Sequence, residues 1–155
     1  MSDPSQHLTA IHEAGHAVMA LLMGRPVQKV SIVPKTRRLG AVTMQKGRSK
    51  PTKDLLEADL LILLAGMAAE ARCSGKYNLQ GAAQDLQMAE KLALHRGGNP
   101  KQASKVIGKA LDKTNHLLSQ EENWAAVKAI AKELLEHQTI SGRSAKHHLD
   151  LAKRG

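Results

Sequence analysis

The chain contains no phenylalanine, and its 155 residues hold one tyrosine, Tyr77, one tryptophan, Trp124, and one cysteine, Cys73. With aromatics so scarce, Leu, Ile, Val, Ala and Met must build the core, a palette suited to helix-on-helix packing. The scarcity also removes the stacking surfaces on which single-stranded nucleic acids are usually held. A single cysteine excludes a disulfide framework and a cysteine-based zinc site, which leaves Cys73 as a small filler. No apolar run is long enough to span a bilayer: the longest, Leu60 to Ala69, is bounded by Asp59 and Glu70. The N-terminus lacks the basic start and apolar middle of a secretory signal, and the expectation is a cytoplasmic protein with no membrane span.

What is abundant is positive charge. Lys and Arg number 23 against 14 Asp and Glu, a formal net charge of +9. The cations are spread along the chain, densest from Lys35 to Lys53 and from Arg143 to Arg154, and read as a solvated surface rather than a nucleic-acid interface. The length suits one domain over residues 1–155, with a tail that frays from about residue 150.

Periodicity predicts a helix from about Ser5 to Met23 stopped by Gly24, and strands over Val27–Val33 and Leu39–Gln45 joined as a hairpin. A basic linker follows, and Thr52 is expected to cap a central, almost wholly apolar helix to Ala71. Further helices are predicted from Ala83 to about His95, from Asn99-Pro100 to about Leu118, from a capping box at Ser119–Glu122, and after Ser141.

The first helix carries His12-Glu13-Ala14-Gly15-His16, an HExxH pattern. Histidines four apart are rotated by about 40° and rise roughly 6 Å, so both imidazoles reach one ion. Glu13 lies about 100° round the helix from His12, beside the ion rather than on it, where it can act on a bound water. Ile11, Ala14, Ala17, Val18 and Ala20 make the cylinder apolar, so the helix is buried, and buried histidines are costly without a partner such as a divalent cation.

A catalytic zinc takes three protein ligands and leaves one position for water. Met19 and Leu22 stand where HExxHxxGxxH needs glycine and histidine, so the third ligand lies elsewhere. Asp54, Glu57, Asp59, Glu70, Asp85, Glu90, His95 and the C-terminal histidines are all candidates. Asp85 is the best placed, because Gly81, Ala82 and Ala83 let the backbone come close to another element; a first-turn aspartate favoured by the helix dipole is the competing explanation.

AIHEAGHAV at Ala10–Val18, PVQKVSIVP at Pro26–Pro34, LGAVTMQ at Leu39–Gln45, LLAGMAAEA at Leu63–Ala71, GAAQDLQMAEKLA at Gly81–Ala93 and LLEHQTISG at Leu134–Gly142 occur in that order. This ordered set resembles the peptidase domain of FtsH-type zinc metalloproteases. The resemblance implies a mainly α, helical zincin-like peptidase domain with a small β-sheet or hairpin near residues 27–45. It implies one zinc per chain held by His12, His16 and Asp85, Glu13 as general base and acid, and Glu70 as an acid that orients a ligand imidazole. The segment Leu39, Gly40, Ala41, Val42 and Thr43 would pair with an extended substrate.

The chain departs from that family at Ala65-Gly66-Met67, where Gly-Gly-Arg is usual, at Ala71 for a second acid, at Gln84 for asparagine and at Ala41 for an aromatic residue. No GxxxxGKS or GxxxxGKT phosphate loop is present, and the expected activity is ATP-independent hydrolysis of peptide bonds in peptides or unfolded proteins, alone, as a homo-oligomer or beside a separate ATPase. The alternative is a non-catalytic peptide-binding or regulatory module that retains the peptidase fold.

Overall fold

The apolar stretch Leu60–Ala69 becomes the middle of α2 (Leu55–Ser74), the helix around which the others gather in the computed structural model, which describes residues 4–34, 41–44 and 54–155, with the backbone alone for 41–44. α1 (Pro4–Leu22) packs chiefly against α2. α3 (Ala83–Gly97) and α4 (Pro100–Ser119) cover other sides of α2, while α5 (Glu121–His137) packs on α1 and α6 (Gly142–Arg154) on α5. One core runs through these helices, built from aliphatic side chains such as Ile11, Met19, Leu61, Leu64, Ile130 and Leu134. Among the described residues no helix is long and apolar enough to cross a membrane.

α1 and α2 meet on small residues. A Cβ on Gly15 would fall 2.6 Å from Ala69 Cβ and 2.7 Å from the Ala65 carbonyl oxygen, so only glycine permits this approach. The crossing places the histidine face of α1 directly on α2.

The predicted hairpin is present as β1 (Val27–Ser31) and β2 (Ala41–Met44), antiparallel, with Val30 opposite Val42. Leu39 and Gly40 lie outside the described residues. A third strand, β3 (Thr139–Ser141), completes a sheet of order β2-β1-β3 and pairs Val30 with Ile140. Sequence patterning misses β3 because three residues are too few to show a period. Gln138, at φ 66°, turns the chain out of α5 into the strand, and β1 in turn ends at Ser31, after which the Ile32 amide donates to the Gln138 carbonyl at 2.8 Å.

Two caps differ from expectation. α2 is capped by Asp54, whose Oδ1 accepts from the Glu57 amide at 2.9 Å and whose carboxylate is also gripped by Arg96; Thr52, the expected cap, lies outside the described residues. An ionised carboxylate suits the positive end of a helix better than a hydroxyl does. The capping box at Ser119 does not form. Ser119 closes α4 by donating to the His116 carbonyl at 2.6 Å, and Gln120 alone links α4 to α5 without a side-chain cap. Asn123 Nδ2 fastens the corner to the Leu117 carbonyl at 2.9 Å. The caps at Asn99 and Ser141 form as predicted, Gly24 adopts φ 76° after α1, and α6 continues past residue 150 to Arg154 with Leu149 buried.

Candidate metal centre

His12 and His16 lie one turn apart on the face of α1 that meets α2, and Asp85 reaches them from the first turn of α3. Their side chains are only 11–14% exposed. His12 Nε2 is 3.3 Å and His16 Nε2 3.1 Å from Asp85 Oδ2, and the two Nε2 atoms are 3.1 Å apart. Donor atoms about 2.0–2.1 Å from a tetrahedral zinc are about 3.3–3.4 Å from one another, so this triangle has nearly the dimensions of one face of such a site.

The far nitrogens show why the triangle needs a cation. His16 Nδ1 lies 2.6 Å from the Ile62 carbonyl oxygen, which can only accept, so the proton is on Nδ1. His12 Nδ1 donates in the same way to Glu70 Oε2 at 3.0 Å. With Nδ1 as the donor on each ring, the neutral form of either imidazole turns an Nε2 lone pair toward the Asp85 carboxylate. Three acceptors facing one another repel unless something positive lies among them. A proton on His12 serves part of the triangle; a divalent cation serves all of it.

Electrostatics in the metal-free state agree. Burial opposes a charged His12, but its hydrogen bonds to Asp85 and Glu70, with the charge of Glu13 close by, outweigh burial and raise its pKa from 6.5 to about 9. Burial likewise disfavours ionised Asp85, yet the close approach of His12 and His16, which favours its ionised form whenever either ring carries a proton on Nε2, holds its carboxyl well below the usual carboxylate range.

The wall opposite the histidines is Gly66. A Cβ there would lie 2.6 Å from His12 Nε2 and closer still to His16 Nε2, so α2 brings bare backbone up to the ligand atoms. Glu70, one turn on, is 8% exposed and spans from His12 to Asn78, whose Nδ2 donates to Glu70 Oε1 at 3.3 Å. Glu13 is 7% exposed.

The remaining third-ligand candidates lie elsewhere. Asp54 pairs with Arg96, Glu57 with Lys113 and Asp59 with Arg25. Glu90 and His95 are exposed on α3, His137 neighbours Glu136, and His148 pairs with Glu133. Ala41, Val42 and Thr43 lie in β2, which has β1 on one side and no other strand partner among the described residues. Sequence reasoning found neither the Ile62 carbonyl, which is backbone and carries no residue signature, nor Asn78, whose only signal is an asparagine three residues before a glycine.

Residues 1–96 match the family described as Peptidase family M41. An ATP-dependent zinc metalloprotease FtsH of Neorickettsia risticii (strain Illinois) is 32% identical over 177 residues, covering 92% of this chain and 28% of that protein. One from Rickettsia bellii (strain RML369-C) is 39% identical over 98 residues, 60% of this chain and 15% of the relative. FtsH 2 of Symbiobacterium thermophilum is 42% identical over 88 residues, 54% and 15% respectively. The chain thus spans between 15% and 28% of the length of these relatives.

Two outcomes follow from this geometry. Gly66→Ala pushes both ligand imidazoles aside and weakens zinc binding by roughly tenfold or more in a chelator competition, with the helical circular dichroism retained; wild-type affinity in that variant would contradict the placement of α2 against the ligands. In the metal-free protein, the contribution of His12 to stability is complete below pH 6.5 and is lost as pH rises through about 9. That of Asp85 is complete above its ordinary 3.8 and is lost as pH falls toward its lower folded value. Because zinc must displace the His12 proton, the gain in Tm from one equivalent of zinc widens between pH 6.5 and 9 in calorimetry, and a constant gain would mean that His12 is not the group displaced.

Proposed function

Because the chain belongs to peptidase family M41, we propose that residues 1–155 form one peptidase domain of a zinc-dependent metalloendopeptidase that cuts peptides or unfolded proteins, with one zinc per chain. The observation that carries the reading is the triangle of His12 Nε2, His16 Nε2 and Asp85 Oδ2, three acceptors at 3.1–3.3 Å spacing with their far sides already hydrogen-bonded. When bound there, zinc lowers the pKa of water and polarises a carbonyl.

The protein groups do the rest. Ile62 and Glu70 fix each imidazole in the tautomer that offers Nε2. Glu13 accepts a proton on its carboxylate from the attacking water and returns it to the departing amine nitrogen as the peptide bond breaks. Glu13 is itself only 7% exposed, which limits the access of bulk water to this transfer. The edge of β2 away from β1, which has no strand partner among the described residues, offers backbone amides and carbonyls to an extended substrate, which then lies beside α1, against which β2 packs.

None of these residues handles a nucleotide, so the cleavage step itself consumes no ATP. An ATPase, on this or another chain, would act by delivering unfolded polypeptide, consistent with the ATP-dependent relatives. A cytoplasmic setting is part of the proposal, supported by the lone, unpaired Cys73.

The test is casein cleavage by the zinc-loaded protein beside its Glu13→Gln variant. Cleavage falls by roughly 10²–10⁴-fold in the variant while its zinc content is unchanged. Undiminished cleavage would remove Glu13 from the mechanism. Zinc-loaded wild type that leaves casein intact would favour a non-catalytic peptide-binding module.

A further inference from the structure

The loop between α2 and α3 is tied to both halves of the metal centre by one side chain. Asn78 Oδ1 accepts from the Gly81 amide at 3.0 Å, and the Asn78 carbonyl accepts from the Ala82 amide at 3.2 Å. These bonds form a turn that feeds directly into α3, whose N-cap residue Ala82 has no capping side chain and whose first turn carries Asp85. The commitment of Oδ1 to an N–H donor fixes which end of the amide points where. Nδ2 is left to donate to Glu70 Oε1 at 3.3 Å, and Glu70 Oε2 accepts from His12 Nδ1 at 3.0 Å. A continuous series of hydrogen bonds therefore runs from the Gly81 amide through Asn78 and Glu70 to the ring of His12.

Glu70 by itself does not define how its carboxylate faces His12. It extends from α2 on rotatable bonds, and one hydrogen bond to an imidazole leaves rotation about the carboxylate free. A second bond on the other oxygen removes that freedom. Asn78 supplies it from a backbone turn that leads into α3, so the orientation of His12 and the position of Asp85 are referred to the same short stretch of chain, Asn78 to Asp85. Asparagine meets both demands because it accepts and donates on one short, planar group.

Gly81 shows the same requirement in reverse. A Cβ built on it would fall 2.6 Å from Asn78 Nδ2 and 3.1 Å from Asn78 Cγ, with no other side chain or backbone among its three nearest atoms. Its backbone is outside the left-handed region, so alanine is conformationally acceptable there. What excludes a side chain at 81 is the seat of the Asn78 amide.

We propose that Asn78 is a positioning residue of the metal centre, which acts through Glu70 to hold His12 for zinc, and that Gly81 is small in order to seat it. The proposal rests on the assignment of His12, His16 and Asp85 as zinc ligands. Groups that touch a metal ligand typically change affinity by about 10- to 100-fold when removed, and Asn78 stands one bond further out. Asn78→Ala should therefore weaken zinc binding by roughly three- to tenfold.

The experiment is a chelator competition for zinc on wild type, Asn78→Ala, Gly81→Ala, the double variant, and Asn78→Ala in a Glu70→Ala background, with circular dichroism to verify the fold of each. Both single variants are expected to lose affinity to a similar degree, and the double variant no more than Asn78→Ala alone, because the two changes break one linkage. In the Glu70→Ala background, replacement of Asn78 is expected to have no further effect. Wild-type affinity in Asn78→Ala would overturn the proposal, as would an equal loss with and without Glu70, which would make Asn78 a loop-building residue only. Failure of the underlying ligand assignment is distinguishable, because wild type itself would then bind no stoichiometric zinc.

Discussion

Three lone pairs directed at one another are the constraint on which the rest of this structure depends. The Nε2 atoms of His12 and His16 and the carboxylate of Asp85 approach within 3.1–3.3 Å with no donor of their own except a proton that His12 captures. Such an arrangement persists in a folded protein only if the surroundings over-determine it. Here they do so from three directions. The Ile62 carbonyl holds one ring, Glu70 holds the other, and the bare backbone of Gly66 closes the wall opposite.

The same constraint explains the composition of α1 and α2. Two helices that bring imidazoles against a neighbouring backbone must cross closely, and Gly15 against Ala65 and Ala69 makes that crossing. Larger residues would separate the axes and open the triangle. The cost is a crossing with little side-chain volume, made up by Ile11, Val18, Met19, Leu61 and Leu64 around it, all essentially inaccessible to solvent. Away from the metal face, α2 is fixed at its start by Asp54–Arg96 and Glu57–Lys113, which tie it to α3 and α4. These pairs are exposed and contribute modestly to stability, but Asp54–Arg96 ties the start of α2 to α3, the helix that delivers Asp85.

Much of this was legible in the sequence, for reasons that differ by residue. His12, Glu13 and His16 are local: their relation is set by helix periodicity alone. Asp85 is 73 residues from His12; the small residues Gly81, Ala82 and Ala83 made it the best placed candidate without excluding a first-turn aspartate, and the ordered resemblance to FtsH-type peptidases strengthened that reading. The long helices were readable because apolar periodicity accumulates over many turns. Short-range choices were not. Asp54 caps α2 and also pairs with Arg96, a tertiary contact that no local sequence pattern shows. Ser119 carries a capping-box pattern but is drawn into the last turn of α4, because one residue is all that separates the two helices. β3 exists because β1 needs a partner on its second edge, information that resides in β1 rather than in Thr139–Ser141.

The central claim is that this triangle is one face of a metal site completed by a cation. X-ray absorption at the zinc edge, on protein loaded with one equivalent, tests it most directly. The account predicts one zinc per chain with two imidazole nitrogens and carboxylate oxygen at about 2.0–2.2 Å and a remaining light-atom ligand from water. A spectrum without the scattering of two imidazoles, or protein that retains no zinc after desalting, would contradict it.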